Sequence, residues 1–206
     1  MKKIFIIDYD SGNVASVFNA LASIKNNNKI LISHNIIDIR SSDLLILPGV
    51  GAFADCMFGL NKINGLIDEI KKQVLINKKS FLGICVGMQV LASIGLENGF
   101  FNGLDLIDGE VFPIPSNNLK IPHMGWNNIK INNNIPLLNN IKNNDHFYFA
   151  NSYYFAAKNK NNVIAEVDYG IKIPAIINRD NIFGIQFHPE KSGPCGLQIL
   201  KNFIQQ

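Results

Sequence analysis

Gly83-Ile84-Cys85-Val86-Gly87 constrains the chain more than any other stretch. Ser80-Phe81-Leu82 before it reads as the end of a buried strand. Met88-Gln89-Val90-Leu91-Ala92-Ser93-Ile94 after it carries apolar residues at helical spacing. A thiol between two glycines at a strand-to-helix junction matches a nucleophile elbow with Cys in place of Ser. The sharp turn strains the nucleophile's backbone, so its neighbours must lack side chains that would collide. A helix starting there aims free N–H groups and its positive end at the sulfur, which favours thiolate and offers donors to a developing oxyanion. The alternative for the same residues is a small buried hydrophobe in an ordinary tight turn.

Around this elbow, short apolar runs alternate with helical patterns. Lys3 to Asp8 reads as a strand, and Ser11-Gly12-Asn13 as a turn capping a helix from Val14 to about Lys25. Ile30-Leu31-Ile32 is a second strand and Asp43 to Leu47 a third that stops at Pro48. Helical segments follow near Ala54 to Leu60 and Gly65 to Ile76, and then the strand leading to Cys85. This alternation predicts parallel β-α-β units with right-handed crossovers, whose sites form at the carboxyl ends of the strands. Pro48-Gly49-Val50-Gly51-Ala52-Phe53 ends such a strand. Its two glycines let backbone N–H groups approach a ligand, so it reads as an oxyanion loop for Cys85 or as a simple turn. It lacks the spacing and the Lys-Ser/Thr ending of a phosphate-binding loop.

At 206 residues the chain suits a single α/β domain, and 47% hydrophobic with 17% charged residues excludes a disordered one. No apolar run reaches the roughly 18 residues that span a bilayer. Met1-Lys2-Lys3 ahead of Ile4-Phe5-Ile6-Ile7 echoes a signal peptide, but Asp8 ends the run too soon, so it reads as the first strand. Cys56, Cys85 and Cys195 are odd in number and lack metal-ligand spacing, which predicts a reduced, cytoplasmic protein with no metal or cofactor. A net charge of +3, with lysines scattered among asparagines, gives no reason to expect nucleic acid or a membrane as partner. Asn132 to Asn134 and Asn159 to Asn162 read as polar loops.

From Gly109 onward the pattern changes to strand-like pieces: Gly109 to Ile114, Asn128 to Ile131, Phe147 to Phe155, Val163 to Val167, Ala175 to Asn178 and Ile182 to Phe187. They predict an antiparallel or mixed extension of the sheet, closed by a helix from about Gly196 to Ile204. Gln186-Phe187-His188-Pro189-Glu190 ends the last strand. A cysteine nucleophile needs a base, and the base needs a carboxylate to fix its tautomer. His188 and Glu190 point the same way if the chain stays extended through Pro189. His34, near a strand end, and His123 and His146, read as loop residues, are the competing histidines.

Together these pieces resemble the triad glutamine amidotransferases, which carry a Gly-x-Cys-x-Gly elbow and, much later, His-Pro-Glu. Asp8 to Asn13, Leu47 to Phe53, Gly83 to Gln89, Pro122-His123-Met124-Gly125-Trp126-Asn127 and His188 to Gly193 are similar, in one order, to the glutaminase subunits of imidazole glycerol phosphate synthases. The resemblance implies a three-layer class I amidotransferase fold: a mostly parallel central sheet flanked by helices, with an antiparallel extension in the C-terminal third. It implies that Cys85 attacks the side-chain amide of L-glutamine while His188 shuttles the proton and Glu190 orients it. The oxyanion would be held by Val86 and the Gly49-Val50-Gly51 strand. Gln89, Glu97, Ser152 and Tyr153 would line the substrate pocket, with Glu97 on the α-amino group. Ammonia would pass to a (β/α)8-barrel cyclase subunit in a heterodimer, docked over Asn13, Trp126 and Lys191.

Two positions depart from the family's pattern. It usually has Gly where this chain has Asp10, and His-Ser-Tyr where this chain has Asn151-Ser152-Tyr153. They leave open a paralogous subunit that supplies ammonia for amidination of a surface-glycan sugar. A non-catalytic interaction protein of this fold and a free-standing γ-glutamyl hydrolase are further alternatives.

Overall fold

A computed structural model of the chain describes residues 1–10, 13–25, 27–116 and 118–206. Strand β1 (Lys3–Ile7) leads through helix α1 (Val14–Ser23) to β2 (Lys29–Ser33), which pairs with it in parallel. Helix α2 (Ile36–Ser41), which the pattern reading did not separate from the loops, returns the chain to β3 (Leu44–Gly49) on the other side of β1. Helices α3 (Phe53–Lys62) and α4 (Leu66–Lys71), the latter running into a wider turn over Lys72–Ile76, lead to β4 (Ser80–Cys85) beside β3. β3 is buried along its whole length and β4 beyond Ser80, as continuous apolar runs covered on both faces should be.

Beyond the elbow come α5 (Val86–Gln89), β5 (Ile94–Gly95), β6 (Phe101–Asn102), β7 (Gly109–Pro113), β8 (His123–Ile131), β9 (His146–Asn151) and β10 (Tyr153–Ala157). Then follow β11 (Val163–Asp168), β12 (Lys172–Arg179), β13 (Ile182–Ile185) and α6 (Gly193–Phe203). Among the described residues the large sheet has the order β2-β1-β3-β4-β13-β12-β11-β8-β9. It is parallel from β2 to β13 and antiparallel from there to β9. The chain steps one way from β1 to β2 and then back to β3 and β4, so right-handed crossovers put α1 on one face and α2, α3 and α4 on the other. Contacts of α1 with α6, and of α4 with α2 and α3, agree with that division. The reversal of strand order brings the carboxyl ends of β3, β4 and β13 to one edge, where such sheets bind ligands.

Several expectations are corrected. The helix after Cys85 does not run to Ile94: it ends at Gln89, because incoming backbone takes its next carbonyls. Leu104 N–H donates to Val90 O at 2.7 Å, Leu106 N–H to Leu91 O at 2.9 Å and Asp105 N–H to Ala92 O at 3.0 Å. Ile94 instead opens β5. The piece Phe147 to Phe155 is two strands, not one, since Ile114 N–H captures Ser152 O and turns the chain from β9 into β10. β10 belongs to a second sheet of order β10-β7-β5-β6, so the C-terminal extension is only partly an extension of the first. β3 continues through Pro48 to Gly49, and His123 and His146 open strands rather than lying in loops. The turn proposed at Ser11-Gly12-Asn13 lies outside the described residues except for Asn13, whose side chain does not cap α1. Among the described residues no helix is long and apolar enough to cross a membrane.

Candidate active site

Cys85 ends β4 with φ 55° and ψ −111°, a left-handed backbone that a residue with a β-carbon avoids unless its surroundings fix it. The surroundings here are the flanking glycines. A β-carbon on Gly87 would collide with the carbonyl oxygen of Leu47, and one on Gly83 with the carbonyl of Gly87. The strained turn therefore exists because both neighbours are bare, and it holds the sulfur at the strand's carboxyl end. In register with Cys85 on β3 stands Gly49, so the Gly49-Val50-Gly51 segment lies beside the elbow.

β13 runs parallel to β4 and delivers His188 to the same edge, where Tyr148 O accepts from its backbone N–H at 2.9 Å. Glu190 reaches the ring by a route the sequence reading did not foresee. The chain does not stay extended through Pro189; it closes a tight turn over Pro189–Lys191, held by Lys191 N–H on His188 O at 3.1 Å and Ser192 Oγ on the same carbonyl at 2.6 Å. That turn folds Glu190 back so that Oε1 lies 2.9 Å from His188 Nδ1, both side chains almost fully buried. Asn13 Nδ2 donates to the same oxygen at 3.0 Å, while Oε2 is buried with no hydrogen-bond partner among the described residues.

Burial pulls His188 down, but the hydrogen bond to Cys85 and then the Glu190 carboxylate outweigh it and push the imidazole up to about 9. Burial likewise pushes Glu190 up, and His188, its own backbone N–H and Asn13 reverse this, holding the carboxyl below its ordinary value. At neutral pH the pair is thus imidazolium and carboxylate. Burial pushes Cys56 up to about 12, and burial with nearby Asp145 raises Cys195, so both stay neutral. His34 and His146 are exposed, and His123 is stacked between Phe149 and Tyr169 at 4.8 and 4.1 Å, so of the four histidines His188 is the one that meets Cys85.

Above the sulfur opens a cleft of about 220 Å³. Gly51, Val86, Gln89, Glu97, Ser152 and Tyr153, all singled out from the sequence, line it together with Cys85. Gln89 Nε2 donates to Tyr153 O at 3.0 Å and to Gln186 Oε1 at 3.1 Å. Glu97 Oε2 accepts from Phe53 N–H at 2.7 Å, which supplies α3 with the N-terminal acceptor that Ala52 cannot provide. A family model for class-I glutamine amidotransferases matches residues 5–206.

The chain belongs to the class-I glutamine amidotransferases. It is 48% identical over 199 residues to the imidazole glycerol phosphate synthase subunit HisH of Caldanaerobacter subterraneus subsp. tengcongensis, covering 96% of this chain and 95% of that one. With the subunit of the same name from Pelagibacter ubique it shares 43% over 202 residues, covering 97% of each. The solved structure of PurLQS from Thermotoga maritima shares the fold at a TM-score of 0.70 and 18% identity, covering 100% of this chain and 99% of that one.

For a class-I amidotransferase, three placements were missed from the sequence. Asn13, expected only toward a partner, bonds the carboxylate behind His188. Asn151 lines the cleft, with its Nδ2 on Tyr153 O at 3.0 Å. Gln186 places Nε2 3.8 Å from Cys85 Sγ. Its position two residues before His188, at a strand end, was the available signal. The remaining expected residues lie outside the cleft. Val50, Asn13 and Lys191 border a separate surface depression, and Lys191 Nζ sits 5.9 Å from the centre of the Tyr148 ring. Trp126 is 58% exposed on β8, edge-on to Tyr148 at 6.1 Å, and is therefore not a core residue.

Proposed function

We propose that this amidotransferase is the glutaminase subunit of an imidazole glycerol phosphate synthase in the cytoplasm, hydrolysing L-glutamine to glutamate and ammonia and handing the ammonia to a cyclase subunit for histidine biosynthesis. The observation that carries the chemistry is the buried Cys85, His188 and Glu190 array beneath the cleft. The pathway is supported by relatives named as that synthase's subunit over nearly the whole chain, which also weighs against the sugar-amidinating alternative.

In this reading glutamine lies in the cleft with its α-ammonium on Glu97 and its side chain along Gln89, Ser152 and Tyr153. The Cys85 thiolate attacks the carboxamide carbon. The N–H of Val86 and one N–H of the Gly49-Val50-Gly51 strand receive the oxyanion. Imidazolium His188 protonates the leaving nitrogen, ammonia departs and a thioester remains. The now neutral imidazole takes a proton from water, which attacks the thioester and expels the thiolate with glutamate. Glu190 keeps the ring aligned throughout. A (β/α)8-barrel cyclase docked in a heterodimer over Asn13, Trp126 and Lys191 would receive the ammonia without its release.

Steady-state glutamate release tests this. Slow turnover by the isolated chain and much faster turnover with the cyclase subunit and its ligand is expected. Equal, fast turnover in both would overturn the coupling, and a Cys85→Ala chain that still hydrolyses glutamine would overturn the nucleophile.

A further inference from the structure

We propose that Gln186 is a catalytic residue whose side-chain amide donates to Cys85 Sγ and stabilises the thiolate, and that Gln89 acts through it as a positioning residue. The inference rests on Cys85 being the nucleophile.

Register places the group. β13 pairs with β4 so that Ile185 stands opposite Ile84, which brings Gln186, the next residue, level with Cys85. Its backbone is fixed there by a hydrogen bond from its N–H to Ala175 O at 2.9 Å. The side chain is fully buried, and a buried amide is costly unless its donors and acceptor are used.

The amide's orientation follows from its neighbours. Gln89 Nε2 sits 3.0 Å from Tyr153 O, which is an acceptor only, so the Gln89 amide nitrogen must face that way. The same nitrogen lies 3.1 Å from Gln186, which must therefore present its carbonyl oxygen. The Gln186 nitrogen is then left facing the sulfur at 3.8 Å. Sulfur's large radius makes this a workable N–H···S contact, and a donor bonds an anion more strongly than a neutral thiol, so the contact favours thiolate over thiol. The Gln186 amide faces Sγ and keeps its hydrogens throughout, whereas the imidazolium of His188, raised by its bond to Cys85, gives its proton to the departing nitrogen in the first half-reaction. The amide remains on the sulfur when the thioester collapses and charge returns to it. Gln89 lines the cleft and also holds Gln186, so the substrate pocket and the nucleophile share one relay.

The test is alkylation of the full chain by iodoacetamide across pH, with modification of the Cys85 peptide quantified by mass spectrometry so that Cys56 and Cys195 are scored separately. Among the described residues His188, Glu190 and Cys56 near the sulfur, and Glu97 and Tyr153 on the cleft above it, are the titratable groups around Cys85, and they are common to every variant. In Gln186→Leu the Cys85 alkylation rate at pH 7 should fall about tenfold, the size expected for one hydrogen bond to a charged group. The midpoint of its pH profile should rise, and kcat should fall while KM for glutamine stays within about threefold. Gln186→Glu, which keeps the shape and the acceptor for Gln89, should lower the rate further by facing the sulfur with an acceptor. Gln89→Leu should shift the alkylation profile the same way by a smaller amount, because the freed amide can turn. A wild-type alkylation profile in any folded Gln186 variant would overturn the role of Gln186, and one in folded Gln89→Leu would overturn the relay. Should Gln186→Leu fail to fold, Gln186→Glu decides alone. Hydrolysis persisting in Cys85→Ala would instead overturn the reading of the nucleophile, a result that the alkylation rates do not share.

Discussion

Asn13 Nδ2 and His188 Nδ1 meet on one oxygen of Glu190, at 3.0 and 2.9 Å, while the other oxygen of that carboxylate is buried with no partner among the described residues. Asn13 precedes α1 and borders the surface depression shared with Val50 and Lys191, so a single side chain joins the outside of the molecule to the group that orients the base. In Asn13→Ala the carboxylate loses a neutral side-chain donor. Glutaminase kcat of the chain should drop about tenfold, the usual scale for a hydrogen bond to a charge. Asn13→Asp should drop it further, because a second carboxylate would face the first. Unchanged kcat in both variants would show that Asn13 is a bystander.

The raised imidazole should set the alkaline limb of the activity. His188 is held at about 9, above its ordinary 6.5, so the imidazolium proposed to protonate leaving ammonia is fully present below neutrality and is lost as pH rises through about 9. Glu190→Gln removes one of the groups that holds the proton. The alkaline limb of kcat/KM should therefore move down by about one unit or more, which at pH 8 lowers activity about twofold for one unit and about tenfold for two. A limb that stays put would assign it to another group.

Stability should have an acid limb of separate origin. His123 is buried between two aromatic rings, and burial pulls it down from 6.5 to about 4. A histidine held neutral in the fold contributes stability that is present above its unfolded value and is lost as pH falls from about 6.5 toward 4, because the unfolded chain binds the proton first. The loss at pH 5 relative to pH 8 is about 2 kcal/mol. Urea melts at both pH values should show it, and His123→Phe, which keeps the stacking, should flatten that limb.

The parallel half of the fold was legible because its strands are buried on both faces and carry continuous apolar runs, such as Leu44 to Leu47, and because bare glycines bracket Cys85. What escaped depended on partners far away in the chain. The run from Met88 to Ile94 has helical periodicity, yet the carbonyls of Val90, Leu91 and Ala92 are taken by Leu104, Leu106 and Asp105, and no periodicity reports that competition. Phe147 to Phe155 alternates like one strand, and only the capture of Ser152 O by Ile114 divides it. In the site, residue types pointed to Cys85, His188 and Glu190, but the fold-back of the Pro189 turn, and not an extended chain, brings the carboxylate to the ring. Asp10 shows the reverse case. The family's usual glycine there is explained by a φ of 63°, a left-handed backbone that Asp tolerates better than most residues.

Glu97 carries two loads that substitution can separate. Its Oε2 accepts the Phe53 N–H at the start of α3, just after the Gly49 to Gly51 segment, and its carboxylate also faces the cleft proposed for the glutamine α-ammonium. Glu97→Gln keeps a carbonyl acceptor for Phe53 and removes the charge, so the melting temperature should stay near that of the parent while KM for glutamine rises at least tenfold. Glu97→Ala removes both, and should cost about 1 kcal/mol of stability as well as the affinity. It should also lower kcat, because the segment proposed to supply the second oxyanion donor loses the contact fixing its far end. Equal KM in the parent and Glu97→Gln would reduce Glu97 to a helix cap, and the α-ammonium would then need another acceptor in the cleft, of which the unpartnered Oδ1 of Asn151 is the nearest in kind.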